Sequence, residues 1–149
     1  MNIAECKAQI KRHEGEVLQV YLDSLDLKTL GVGHLLQPND PEYDWEVGTA
    51  VSQEVVDNYF REDFDKHLIE TYDIVGGLDE FEKLPEPIQH VLVNMCFNLG
   101  ATRLKKFRNM LYAVHVHDWK EMANQMQDSK WFYQVGNRSK ELQEMVLGV

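Results

Sequence analysis

Positive charge is scarce in this chain. Its 149 residues carry 15 Lys and Arg against 25 Asp and Glu, a formal net charge of −10. That balance argues against generic binding to nucleic acid or to an anionic membrane, both of which call for a basic surface. Long apolar runs are missing too. No stretch approaches the roughly 18 apolar residues of a membrane span, and the start of the chain lacks the charged, apolar, small order of a signal peptide. Cysteine is limited to Cys6 and Cys96. Their spacing fits neither a disulfide scaffold nor a zinc motif, so two buried free thiols are expected, and a bridge would require their two helices to meet suitably. There is no glycine-rich phosphate loop, no internal repeat and no low-complexity tract. His13-Glu14 does not begin H-E-x-x-H, because Val17 holds the last place, and a zinc-protease reading fails. His115 and His117 with Asp118 read as surface residues at a helix junction. No metal and no other cofactor is expected.

What remains is ordinary for a globular protein: 44% hydrophobic and 27% charged residues. The length suits one domain or two small lobes sharing a core. The stretch from Glu14 to His34 concentrates the chemistry. Ile3, Ala4, Ala8 and Ile10 mark a short amphipathic helix, with Asn2 as its N-cap and Gly15 as its terminator. Glu14 then falls in the last turn, at the negative end of the helix dipole. That position, together with partial burial, favours the protonated carboxyl that a general acid needs. Residues 17–22 and 29–36 read as extended, joined by a hairpin link over 24–28. In that register Asp23 sits opposite Thr29, with Cβ atoms about 5 Å apart, and a water could bridge carboxylate and hydroxyl. Asp23, beside a solvated turn, should stay ionised and serve as a base. Two carboxyls in different environments are what chemistry that protonates a leaving group and activates a water needs. Gly31 and Gly33 let the strand backbone approach whatever packs on it.

The run E-G-x5-Y-x-D-x5-T-x-G-x-G-H is here Glu14, Gly15, Tyr21, Asp23, Thr29, Gly31, Gly33 and His34, followed by Leu35. It resembles the phage-type, T-even-like lysozymes. The resemblance implies a muramidase that hydrolyses the β-1,4 bond between N-acetylmuramic acid and N-acetylglucosamine, with inversion. An inverting enzyme holds its carboxyls roughly 6.5–9.5 Å apart, leaving room for water. On this resemblance Glu14 is the acid, Asp23 the carboxylate that supports the attacking water, and Thr29 its partner. Leu35, Phe97 and Asn98 would touch substrate. The plain alternative for the last two is a core phenylalanine and a capping asparagine. His34 would pair with Asp63, and Arg138 with Glu14, as structural support of the site; the arginine would oppose the helix-end effect on Glu14. Arg138 closes a second matching run, W-F-x-Q-x-x-N-R, from Trp131. Met110 and Gln125 stand where the family places polar substrate contacts, so no role passes to them.

The expected fold is α+β and mostly helical: one lysozyme-like domain over 1–149. A small β-hairpin lobe at about 14–60 and a helical bundle at about 75–149, with helix 2–13, are joined by a long helix at about 52–74, capped by Ser52. Hinge bending about that helix would open and close a cleft. Residues 37–51 read as a linker, shorter than its counterpart in the family, and the C-terminal tail is shorter too. Gly76-Gly77 ends the long helix. A short turn at 78–84 precedes a helix begun by Pro85 and Pro87 and running to Leu99, apolar almost all round. Amphipathic helices follow at 104–115 and 118–128, then a last helix from Asn137. The implied partner is the peptidoglycan glycan strand, met by a monomer with no nucleic acid and no stable membrane association. The implied route is synthesis in a bacterial host cytoplasm and arrival at the wall through a holin-type or lysis step, causing host lysis. Peptidoglycan is itself largely anionic, so the acidic chain should feel weak long-range attraction to it, and activity need not fall with salt. The rivals are a catalytically silent wall-binding or baseplate component, and a lytic transglycosylase. Asp23 and Thr29 speak against the second, since forming an anhydro-sugar needs no water-positioning base. A chitin- or chitosan-like substrate is a further variant.

Overall fold

A computed structural model describes residues 1–149. Nine helices and three short strands make up a mostly helical α+β fold. The chain divides into two compact units, Lys7–Lys66 and a second formed by Met1–Cys6 with His67–Val149. None of the helices is long and apolar enough to cross a membrane.

The smaller unit begins within α1 (Ile3–Glu14), whose first turn is capped by the Asn2 side chain accepting from Glu5 N at 3.1 Å. Strands β1 (Val17–Leu22), β2 (Lys28–Gly31) and β3 (His34–Leu35) form an antiparallel sheet in that order. The expected second strand over 29–36 is thus two strands. The chain reverses at Val32 and Gly33, with Gly31 and Gly33 both at φ +63°, a conformation that side-chain-bearing residues adopt only with strain. Val20, Leu30, Val32, Leu36, Val51 and Val56 form the core beneath the sheet. The 37–51 segment is fastened rather than a plain linker. Gly48 N donates to Val20 O at 2.7 Å, Val20 N to Thr49 O at 3.0 Å and Val51 N to Leu18 O at 3.0 Å, along β1. The ammonium of Lys28 holds the segment's other end, donating to the carbonyls of Tyr43 and Trp45 at 3.3 and 2.8 Å. Helix α2 (Gln53–Ile74) starts where Ser52 Oγ accepts from Val55 N at 3.2 Å.

The larger unit is built on α4 (Glu86–Leu99), preceded by α3 (Leu78–Glu82). Pro85 stands at the N-cap of α4 and Pro87 in its first turn, where the missing N–H costs nothing. Every residue from Ile88 to Phe97 is buried, as an all-round apolar helix requires. Helices α5 (Ala101–Leu104), α6 (Arg108–His115), α7 (Trp119–Gln127), α8 (Lys130–Gln134) and α9 (Asn137–Leu147) complete it. The single helix expected over 104–115 is therefore broken. Lys106 N and Phe107 N turn to the tighter i−3 carbonyls of Arg103 and Leu104, and Phe107 leaves helical geometry at φ −78°, ψ 57°. Its ring meets Trp131 edge-on at 6.2 Å, so tertiary packing overrides the helical pattern. Asp118 caps α7 and Ser129 caps α8 through their side chains.

Candidate active site

Gly15 ends α1 at φ +75°, its N–H closing the last turn on Lys11 O at 2.9 Å. That turn leaves Glu14 half-buried, with its carboxylate on the backbone of Gly33. A Cβ built there would lie 2.6 Å from Glu14 Oε1, so only glycine admits the carboxylate at this spot.

Asp23 and Thr29 do not face each other as a cross-strand pair. The register pairs Tyr21 with Thr29 and Leu22 with Lys28, and Asp23 N donates to Leu27 O at 2.9 Å. The reason lies in the turn. Asp23 Oδ1 accepts from Leu25 N at 2.8 Å and Leu27 N at 2.9 Å, an arrangement aspartate favours at turn starts. This makes Asp23 the first turn residue rather than the last strand residue. Thr29 still meets it indirectly, because the buried Thr29 hydroxyl donates to Leu27 O at 2.9 Å. Carboxylate and hydroxyl therefore grip the two ends of one residue, the N–H and the carbonyl of Leu27.

Tyr21 lies between the two carboxylates in electrostatic terms. Its pKa is raised by burial and by the negative charges of Glu14 and Asp23.

His34 anchors the far side of the sheet. Nδ1 is 2.7 Å from Asp63 Oδ2, as the sequence suggested, and Nε2 is 2.9 Å from Asp40 Oδ2. The ring stacks on Tyr59 at 3.9 Å, and the Tyr59 hydroxyl donates to the buried Glu42 at 2.7 Å. Burial disfavours the imidazolium, but the hydrogen bonds and charges of Asp63 and Asp40 outweigh it and raise the pKa of His34. For Tyr59, burial and the bond to Glu42 push the pKa up as well. Asp40 and Glu42 escaped the sequence reading; only their place in an acidic turn soon after His34 hinted at them. Leu35 is exposed and lines a groove of about 450 Å³ with Leu27, Lys28, Gln37 and Tyr43. An aromatic and aliphatic floor with a polar rim is a surface that a sugar ring fits.

The remaining candidates belong to the helical unit. Asn98 accepts from Trp131 Nε1 at 2.7 Å. Phe97 is only 8% exposed and lies edge-on to His67 at 5.2 Å. Arg138, buried in the first turn of α9, donates from Nε to Asn94 Oδ1 at 3.0 Å. Glu14, Asp23, Thr29, His34, Leu35 and Asp63 all lie in the sheet-bearing unit.

Known proteins resemble this chain along most of its length. The sequence pattern of the family described as Phage lysozyme matches residues 11–146. The chain is 26% identical to "Probable T4-type lysozyme 2" of Dictyostelium discoideum, over 92% of this chain and 90% of that protein. It is 25% identical to the pre-baseplate central spike protein Gp5 of Enterobacteria phage T4, over 99% of this chain but 28% of that protein. It is 27% identical to the peptidoglycan hydrolase gp36 of Pseudomonas phage phiKMV, over 89% of this chain and 14% of that protein. A family pattern spanning nearly the whole chain has a direct conclusion: the chain belongs to the phage lysozyme family.

Proposed function

We propose that this protein is a muramidase, hydrolysing the β-1,4 bond between N-acetylmuramic acid and N-acetylglucosamine of peptidoglycan with inversion at the anomeric carbon. The supporting observation is a pair of carboxylates at either end of β1, Glu14 lying against Gly33 and Asp23 held by the N–H groups of Leu25 and Leu27. Glu14 donates a proton to the glycosidic oxygen as the bond breaks. Asp23 takes a proton from a water on the opposite face of the sugar, and that water attacks the anomeric carbon. Both backbone N–H groups go to Oδ1 of Asp23, and Oδ2 is the oxygen that addresses the water. Thr29 spends its proton on Leu27 O, so its lone pairs receive the other hydrogen of that water. Leu35, with Tyr43 across its groove, packs against a sugar face, and Asn98 and Phe97 add contacts to the glycan. The His34–Asp63 pair supports the sheet. The enzyme works as a monomer on the wall of its bacterial host after release by a lysis pathway.

The test compares wild type with Glu14→Gln on purified peptidoglycan, with mass spectrometry of the products and NMR of the new anomeric centre. Muropeptides with free reducing ends of inverted configuration, and a loss of at least about 100-fold in the variant, as removal of a general acid gives, are the expected outcome. Anhydro-muropeptides would replace hydrolysis by transglycosylation. The likeness to the central spike protein favours a second reading, a tail-associated module. In its silent form, wild type would bind wall and release nothing.

A further inference from the structure

The proposed acid and base leave another group of reactive side chains unused. His67 and Glu70 lie one turn apart on α2, and Cys96 faces them from α4. One ligand atom from each, imidazole Nδ1, a carboxylate oxygen and Sγ, lies within 4.8 Å of the other two. Nδ1 is 3.9 Å from Sγ and 2.8 Å from Glu70 Oε1.

Two features set this group apart from a routine helix-surface ion pair. Glu70 Oε1 is buried and accepts no hydrogen bond, although Nδ1 stands within ion-pair range of it. A buried carboxylate oxygen in that state is costly unless a cation meets it. The spacings also match coordination. Zinc bonds of about 2.1 Å to nitrogen and 2.3 Å to sulfur at the tetrahedral angle put N and S roughly 3.6 Å apart. The observed separation is 3.9 Å. Two bonds of about 2.1 Å put N and O roughly 3.4 Å apart, so Glu70 needs to swing outward by about half an ångström.

We propose that His67, Glu70 and Cys96 form a binding site for a zinc-class divalent ion, with water as the fourth ligand. The chemistry of the donors fits that class, since imidazole and thiolate together select borderline ions over calcium or magnesium. A dication, a thiolate and a carboxylate sum to zero charge, which limits the penalty of placing the ion beside buried Cys96. The proton of the thiol leaves to solvent on binding. His67 and Glu70 side chains retain 17% and 29% of their exposure, so the ion enters from their side. Bound, it ties the C-terminal part of α2 to the central helix α4. The site uses neither Glu14 nor Asp23 and stands whether or not the muramidase reading does.

The experiment titrates reduced, metal-free protein with Co²⁺ as a spectroscopic stand-in for zinc, then displaces it with Zn²⁺. The expected result is one equivalent bound, a near-ultraviolet thiolate-to-cobalt charge-transfer band, and a melting temperature raised by zinc. Cys96→Ser abolishes the band. Glu70→Gln, at a partly exposed position that tolerates an isosteric change, keeps the fold and weakens binding by about tenfold or more, the least that changes around a metal ligand produce. His115→Gln with His117→Gln changes nothing. No band, or cobalt binding that survives Cys96→Ser and Glu70→Gln while falling with the His115 and His117 changes, overturns the proposal.

Discussion

The carboxylate of Glu14 rests on the backbone of Gly33, close enough that a single added methyl would fall 2.6 Å from its oxygen. The position of the proposed acid is thus set by what Gly33 lacks. Gly33→Ala meets two obstacles, the displaced carboxylate and a left-handed backbone at φ +63°. A non-glycine residue there costs about 1–2 kcal/mol. We expect a lowered melting temperature and an activity loss of about tenfold or more. Gly31→Ala shares the backbone cost, but its Cβ meets Val56 at 2.9 Å instead, so it should hurt stability more than turnover. Thermal melts and rates for the pair separate the two effects.

Asp23 has a structural task that can be split from its proposed chemistry. Asp23→Asn keeps an oxygen for Leu25 N and Leu27 N, so the turn survives and the melting temperature moves little. The base is gone, and activity should fall by about 100-fold or more. Asp23→Ala removes both bonds and should cost about 2–3 kcal/mol in addition, the scale of a hydrogen bond to a charged group. Equal melting temperatures for the two variants would contradict this division.

Tyr21 offers a spectroscopic check on the shared site. Its pKa stands above the usual 10.0 through burial and the charges of Glu14 and Asp23. Neutralising either acid removes one of those charges, so in Glu14→Gln or Asp23→Asn the alkaline titration of Tyr21 should shift to lower pH. Ultraviolet difference spectra against a Tyr21→Phe background isolate the signal. An unmoved titration would place the two carboxylates out of each other's reach.

His34 makes stability depend on pH with a definite sign. Its folded pKa lies above the ordinary 6.5 because Asp63 and Asp40 outweigh burial. A raised pKa contributes stability that is complete below about 6.5 and is lost as pH rises through the folded value. Compared with His34→Gln, wild type should hold its full advantage at pH 5 and see that advantage shrink above pH 6.5. Urea melts across this range measure it, and an advantage that grew with pH would contradict the assignment.

The helices were legible where the signal is local. Asn2 and Ser52 announce their caps, Pro85 and Pro87 start α4, and Gly15 ends the helix before it. Non-local features were not. The Asp23 register depended on which of two hydrogen-bonding habits of aspartate prevailed, and periodicity carries no information on that. The break at Phe107 depends on Trp131, 24 residues away. Asp40 and Glu42 sit in a turn whose composition reads as solvent-facing, yet Lys28, His34 and Tyr59 draw that turn inward. His67, Glu70 and Cys96 follow no ligand spacing, because two helices from distant parts of the chain bring them together. Among the proposed site residues, the spacing set Asp23 opposite Thr29, whereas the two meet only through Leu27, a connection no periodicity reveals.

That connection leaves one position unusually open to change. Asp23 and Thr29 hold Leu27 by its peptide atoms alone, while its side chain is exposed in the groove beside Leu35. Residue identity at 27 is therefore decoupled from the placement of the reactive groups. Almost any amino acid supplies the same N–H and carbonyl, and only proline, which has no N–H, breaks the link to the carboxylate. Natural drift or a saturation library at this single codon can reshape the groove without disturbing the two hydrogen bonds that Asp23 and Thr29 make to Leu27.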